Sequence, residues 1–397
     1  MNANLTFHVV VVGGGIAGLV AADSLTGQGI SVAVIDKDRA FGNFVVCGEA
    51  VQKWVVEELG ISGRPNLLSQ EIKTISIVNK GKKISFNVVD VGFIIRKGEV
   101  IRWMMDRVVR GGGKGFSNTR FVGLDREANG GFRVKALHRG KEVTIKSDFV
   151  IAADGMASSV ANALGFQKLH GVHGINSLIH SNAVPDGEIR FFVGSEFAGG
   201  YGWIFSKGNG YANLGVVGKD PEDVTAKFDT MMQNFHDVSV LSYGRKAIPH
   251  GLRGSVALDG VLFIGDAGGF VEPLSYAGIW GAVRSAQMAA NSIGKFYYGT
   301  LRDRKAVSRD YEKSVNSEFR KRFQLEELAV EVFEKMDNRD WNTFLDIVED
   351  HASGKTEFNF GPFNVARMLL FDSRFRRILK GKVQNGILSI VQKIIFR

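Results

Sequence analysis

The chain of 397 residues has one cysteine, Cys47, which excludes an internal disulfide and any cysteine-based metal cluster. Its eight histidines show no metal-ligand spacing: His170 and His173 stand without carboxylates at ligand distance in the sequence, so no metal site is expected. No apolar run approaches the ~18 residues that a membrane-spanning helix needs. The opening residues, Met-Asn-Ala-Asn-Leu-Thr-Phe, lack the basic stretch of a signal peptide, so the expected location is cytoplasmic. Internal repeats and low-complexity tracts are missing too. Acidic residues are in the minority, 41 against 50 basic, and the net charge of +9 suits an anionic partner. The basic residues are dispersed until the C-terminus and no nucleic-acid motif occurs. An anionic membrane surface or a phosphorylated substrate therefore fits better than nucleic acid.

What is present describes a folded chain long enough for two or three packed units, with 45% hydrophobic and 23% charged residues. The organising stretch runs from His8 to Asp36. Val9 to Val12 is β-branched throughout and too short for a helix, so it reads as a buried strand. Gly13, Gly15 and Gly18 then fill G-x-G-x-x-G. The first makes a tight turn, the second lets a pyrophosphate approach the backbone, and the third lets a helix pack on the strand. Ile16 to Leu25 is predicted as that helix, whose N-terminal N–H groups favour a phosphate. Ser31 to Ile35 reads as the second strand, with Asp36 at its end, where an acid takes ribose hydroxyls. Strand, glycines, helix, strand and acid together indicate a dinucleotide site.

Further along, residues 39–53 form a loop returning towards this site, and Val51 to Leu59 looks helical. Short alternating stretches between 72 and 95 suggest antiparallel strands, and a helix follows from Arg96. Phe121 to Leu124, Phe132 to Leu137 and Glu142 to Ile145 suggest a three-stranded meander, with a separate closing strand from Phe149. After Gly165 the composition changes. Glu188 to Val193, Tyr201 to Ser206 and Tyr211 to Val217 are aromatic, alternating strand candidates, and Pro221 to Phe235 is predicted helical. Val261 to Gly265 returns as a buried strand, Gly278 to Lys295 as a helix rich in small residues, and the chain from Arg302 on is mostly helical. The expected fold is α/β. A discontinuous dinucleotide domain spans 1–165 with 250–300. An inserted antiparallel-sheet domain spans 166–249, with strands from about 72–95, and 301–397 forms a helical C-terminal region.

Two more segments join the glycines: Ala153-Asp154-Gly155, and Gly265-Asp266-Ala267-Gly268 ahead of Pro273 and Gly278-Ile279. In this order and spacing they resemble the flavoprotein superfamily built like p-hydroxybenzoate hydroxylase. That resemblance implies a Rossmann-like domain holding FAD non-covalently, with Asp266 on the ribityl or pyrophosphate portion. The helix after Gly278 would aim its N-terminus at the flavin and stabilise negative charge on the reduced ring. It places Gly13, Gly15, Ala17, Gly18, Asp36 and Lys37 at the cofactor, together with Cys47, Gly48, Ala50, Arg96 and Val122. Asp154, Gly155, Asp266, Gly278 and Ile279 complete the set.

Cys47-Gly48-Glu49 and the segment from Ala198 through Tyr201-Gly-Trp203-Ile-Phe205-Ser206-Lys207 to Asn213 and Gly215 are similar to signatures of the geranylgeranyl reductase family. Membership implies FAD-dependent reduction of isolated carbon–carbon double bonds in prenyl chains, and an external electron donor such as NAD(P)H or ferredoxin. Tyr201, Trp203 and Phe205 alternate, so one face carries all three; that face is either a slot for a prenyl chain or the core side of a sheet. The chain departs from the family in three places. Ala198 and Ser206 stand for its two signature prolines, and Tyr276 replaces a glycine of Pro-Leu-Thr-Gly-x-Gly-Ile beside the flavin, making Tyr276 a substrate-pocket candidate. Ala161, where hydroxylase relatives often carry arginine, speaks against an NADPH-dependent hydroxylase. A flavin monooxygenase or halogenase-like enzyme, and a flavin-binding redox sensor without turnover, are the alternatives. Cys47 reads as a small buried hydrophobe, a cofactor contact or a catalytic thiol, and Glu49 as an exposed turn carboxylate or a proton relay.

The C-terminus places Val383, Ile387, Leu388, Val391, Ile394 and Ile395 at helical spacing. Arg374, Arg376, Arg377, Lys380, Lys382, Lys393 and Arg397 surround them. Such a basic amphipathic helix suits the surface of an anionic membrane, peripheral on its inner face, or a docked helix with a solvated charged side.

Overall fold

β-branched residues on both faces make Leu5–Val12 a central strand, with Val9 to Val12 all buried. It pairs in parallel with Val32–Ile35 on one side and Lys141–Ala152 on the other. The computed structural model describes residues 5–43, 45–233, 235, 237–352 and 372–382. The first sheet has eight strands, ordered Ala257–Leu258, Val261–Phe263, Lys141–Ala152, Leu5–Val12, Val32–Ile35 and Lys114–Phe116. Phe132–His138 and Thr119–Arg126 branch off Lys141–Ala152 as an antiparallel pair. Register positions everything that follows. Val12 is opposite Ile35 and Ala152, and Ala152 is opposite Phe263. The glycine turn, Asp36, Asp154 and Asp266 therefore all emerge at the carboxyl edge of one sheet, where open parallel sheets bind ligands.

Helix Ile16–Thr26 packs against helices Lys97–Arg110 and Ile279–Tyr297 on one side of this sheet. Lys97–Arg110 is amphipathic by spacing: Val100, Ile101, Met104, Met105 and Val108 are buried, while Glu99 and Arg110 complement the helix dipole at opposite ends.

The second sheet has seven strands, ordered Ser239–Pro249, Gly171–His180, Tyr211–Gly218, Tyr201–Gly208, Glu188–Phe192, Thr74–Asn79 and Lys82–Asn87. All its pairs are antiparallel except Glu188–Phe192 with Thr74–Asn79. One face carries Trp203, Phe205, Ile189 and Val217; the other is covered by helix Pro221–Gln233. A small three-stranded sheet, Ala50–Gln52, Gly92–Ile95 and Leu68–Glu71, sits between the large ones in the chain path.

Three details differ from the sequence reading. The third meander strand and the closing strand are a single strand, Lys141–Ala152, which pairs with Phe132–His138 along one edge and Leu5–Val12 along the other. The helix expected from Val51 begins at Lys53, because Ala50–Gln52 is spent on a strand. Strands Leu68–Glu71, Lys114–Phe116, Gly171–His180, Ser239–Pro249 and Ala257–Leu258 are not expected from the sequence.

Beyond Arg304 the chain is helical: Arg304–Val315, a wider turn at Asn316–Arg320, then Lys321–Glu334, Asn338–Ala352 and Ser373–Lys382. Phe375, Ile378 and Leu379 of the last are buried in a cluster with Phe344, Leu345 and Val348. Arg374 pairs with Asp350 and Asp372, and Lys382 with Asp340, so this stretch docks on its own protein. The apolar stripe from Val383 to Ile395, with Lys393 and Arg397, lies outside the described residues. Among the described residues no helix is long and apolar enough to cross a membrane.

Candidate active site

The glycine turn is shaped by what a side chain would strike. At Gly13, φ is +109°, and an added Cβ would sit 2.2 Å from the Ala153 carbonyl oxygen. At Gly18 it would sit 1.9 Å from the Gly13 carbonyl, so the helix closes on its own strand turn only because no Cβ intervenes. At Gly15 it would meet nothing within 4 Å. That open side, at the start of helix Ile16–Thr26, is where a pyrophosphate can approach. Ala17 packs on the Gly-Asp turn, its Cβ 2.8 Å from where a Gly265 side chain would begin.

Asp36 is fixed by backbone: Gly14 N–H donates to Oδ2 at 2.6 Å and Asp38 N–H to Oδ1 at 2.8 Å. Each oxygen keeps a lone pair for a hydroxyl. Lys37 is exposed beside it. Asp154 Oδ2 accepts from Val160 N–H at 3.1 Å, while the buried Oδ1 has no partner among the described residues. Burial raises its carboxyl above the ordinary range, against the pull of a Ser158 hydrogen bond. Gly155, at φ +82°, turns the chain beside it. Arg96 is exposed at the mouth of helix Lys97–Arg110, Ala50 is half-buried, and Val122 is exposed on strand Thr119–Arg126.

Asp266 lies at the start of helix Ile279–Tyr297: a Cβ on Gly278 would be 3.3 Å from its Oδ1. Ile279, the first residue of that helix, is buried. Asp266 Oδ2 pairs with Lys246 Nζ at 2.6 Å, from the edge strand of the second sheet. Sequence reasoning missed Lys246, because its strand carries no apolar alternation to mark it.

The two family-like segments meet. A Cβ on Gly48 would be 2.9 Å from the Phe205 ring and 3.4 Å from Trp203 Nε1. Trp203 in turn fills the space left by Gly215, 2.2 Å from a Cβ there. Trp203 and Phe205 are buried together with Ile72, Ile94 and Val172, forming a floor beneath the Cys47-Gly48 turn. Trp203 Nε1 and Asn176 Oδ1 are buried without partners among the described residues. Tyr201 is half-buried; its ring stacks on Tyr276 at 6.2 Å and its hydroxyl donates to the Ser275 carbonyl. Burial pushes the Tyr201 hydroxyl well up and that of Tyr276 up to about 12, so both stay neutral donors. Tyr276 has φ +52°, the left-handed region, which accounts for a glycine at this position in the family pattern. Here the stack on Tyr201 and a 3.2 Å hydrogen bond to the Gly199 carbonyl hold a tyrosine in that conformation.

Glu49 is not an exposed turn carboxylate. It is buried, at φ +65°, with Oε1 accepting from Lys97 N–H at 2.8 Å. Oε2 pairs with Lys207 and accepts from Asn213 Nδ2 at 2.9 Å. Asn213 also donates to the Gly48 carbonyl at 3.0 Å. The reason is topological: strand Ala50–Gln52 anchors the loop end, so the turn folds onto the second sheet rather than into solvent. Cys47 is half-buried, its Sγ accepting from Glu49 N–H at 3.3 Å.

Comparison with known proteins agrees with this geometry. Residues 6–195 match the FAD binding domain family. Digeranylgeranylglycerophospholipid reductase of Methanocella arvoryzae is 27% identical over 349 residues, 82% of this chain and 88% of that protein. The reductase of the same name from Thermoplasma volcanium is 23% identical over 372 residues, 87% and 92% of the two chains. Among solved structures, a geranylgeranyl bacteriochlorophyll reductase-like protein from Thermoplasma acidophilum superposes with TM-score 0.84 at 20% identity, covering 98% of this chain and 100% of that one. The myxobacterial chondrochloren halogenase superposes at 0.70 with 14% identity, covering 99% and 97%. The cofactor is FAD, and the residues present fit it: the open side of Gly15, the spare lone pairs of Asp36 and the unpartnered Asp154 Oδ1 are all at one sheet edge.

Proposed function

We propose that this FAD-binding chain, similar over most of its length to digeranylgeranylglycerophospholipid reductases, reduces carbon–carbon double bonds in geranylgeranyl or polyprenyl chains, as borne by membrane lipids of the archaeal kind. One observation carries the reading: the Cys47-Gly48-Glu49 turn is seated on the Trp203 and Phe205 face, so the two segments most particular to this family build one wall of the cofactor cleft. When bound and reduced, FAD supplies a hydride to one alkene carbon, and a proton must reach the other.

The chain's own residues hold the site together. Glu49 gathers Lys207, Asn213 and the Lys97 N–H, which locks the turn against the sheet. Tyr201 stacks on Tyr276, and Trp203 and Phe205 pack beneath the Cys47-Gly48 turn. An isolated alkene offers no oxygen to polarise, so apolar surroundings suit it better than a cluster of charges. Electrons come from an external donor, NAD(P)H or ferredoxin. Arg376, Arg377 and Lys380 are exposed on helix Ser373–Lys382. They would favour an anionic lipid surface by ~1 kcal/mol each, where such a substrate resides. The test is incubation of the reduced protein with a geranylgeranyl lipid and mass analysis of the product: gain of two hydrogens per double bond supports the reading, and an unchanged lipid refutes it.

A further inference from the structure

Strand Ser239–Pro249 is the edge of the second sheet, and alternate residues on it face the cofactor cleft. Gly244 faces the loop before Cys47, where an added Cβ would be 2.4 Å from Val46 Cγ2. Ile248 joins the Trp203 cluster. Lys246 lies between them on the same face, opposite Gly174 in the register, and its Nζ reaches Asp266 Oδ2 at 2.6 Å. The contact joins a sheet of one region to the Gly-Asp turn of the other, and no cofactor motif contains it.

We propose that Lys246 is a cofactor-positioning residue, a cation delivered by the second sheet that keeps Asp266 ionised and oriented to accept hydrogen bonds from the ribityl hydroxyls of FAD. The physical need is plain. Asp266 is only 18% exposed, and burial by itself would push its carboxyl up. The charge and hydrogen bond of Lys246, with the charge of Lys97 from the start of helix Lys97–Arg110, reverse that and hold it below the ordinary range. Asp266 in turn holds the Lys246 ammonium, 41% exposed on its strand, above its own ordinary range, with a smaller contribution from Cys47 in the facing loop. A protonated Asp266 would be a weaker acceptor and would present an O–H donor where the ionised group offers a lone pair. Lys246 thereby also ties FAD binding to the position of the substrate sheet. The proposal rests on FAD as the cofactor and not on the identity of the substrate.

The test titrates FAD into the apoprotein, following flavin fluorescence between about pH 5 and 8, a range that spans a raised carboxyl pKa. Lys246→Met and Lys246→Gln are expected to bind FAD about tenfold more weakly, because the half-buried Asp266 carboxylate loses its cation. The sign with pH follows: without Lys246 the Asp266 carboxyl titrates higher, so the loss deepens as pH falls. Lys246→Arg should bind as the wild type does, without that pH slope. Asp266→Asn in the Lys246→Met background should remove the slope. Unchanged affinity in both neutral variants overturns the proposal. A loss equal at every pH and not rescued by arginine also overturns it, as does failure of both neutral apoproteins to fold, which would make Lys246 structural. Wild-type protein that takes up no FAD would instead refute the cofactor itself.

Discussion

At the scale of single residues, the glycine turn separates binding from folding. Gly15 has room for a side chain and an ordinary extended backbone, φ −79°, whereas a Cβ at Gly18 collides with backbone at 1.9 Å. Gly15→Ala should therefore leave the apoprotein's stability within ~0.5 kcal/mol of wild type while abolishing FAD uptake, because the methyl occupies the space of the pyrophosphate. Gly18→Ala should lose both. Melting of the two apoproteins, followed by FAD titration, checks this, and equal destabilisation by both would contradict the assignment of Gly15. The same contrast shows what a motif reveals. The spacing of Gly13, Gly15 and Gly18 indicates three distinct roles, since the turn is local. The burial of Glu49 is not local: it depends on Lys207 and Asn213, strands away in the chain, and could not be read from Cys47-Gly48-Glu49 alone.

At the scale of elements, strand Tyr201–Gly208 shows where periodicity stops being informative. Alternation correctly puts Tyr201, Trp203 and Phe205 on one face, but whether that face is open depends on Gly48 and Gly215, which close over Trp203 and Phe205. Trp203→Ala should accordingly cost the apoprotein ~3–5 kcal/mol by urea unfolding; a cost below ~1 kcal/mol would mean that the indole lines an open slot. Edge strand Ser239–Pro249 was illegible because Ser239 to Ser242 and Arg245 to Ala247 are exposed on both faces and carry no alternation. A second prediction concerns the parallel pair Glu188–Phe192 and Thr74–Asn79. Burial would raise the Glu188 carboxyl, but hydrogen bonds from Arg190, Ser76 and Lys83 bring it to about 2 from an ordinary 4.5. A depressed carboxyl stabilises the fold above its unfolded value, so this contribution is present above pH 4.5 and is lost as pH falls towards 2. With solvent screening allowed for, the loss is ~1–2 kcal/mol. Denaturant melts across that range should be flatter for Glu188→Gln, and an unchanged slope would sink the prediction.

At the scale of the whole molecule, the site is a junction. Parallel register brings the glycine turn, Asp36, Asp154 and Asp266 to one edge, and the second sheet lowers its aromatic face and Lys246 onto that edge. The first half was legible because register follows from four buried apolar strands. The second half was not, since it needs the relation between two sheets. The fold is shared with halogenase-type flavoproteins, so the reaction, more than the architecture, distinguishes this chain from them. The direct measurement is anaerobic mixing of photoreduced protein with a digeranylgeranyl lipid, recording the flavin spectrum and the lipid mass on the same sample. The flavin should reoxidise as the lipid gains two hydrogens for each double bond saturated. Flavin that stays reduced beside unchanged lipid, yet reoxidises once oxygen is admitted, would contradict prenyl reduction.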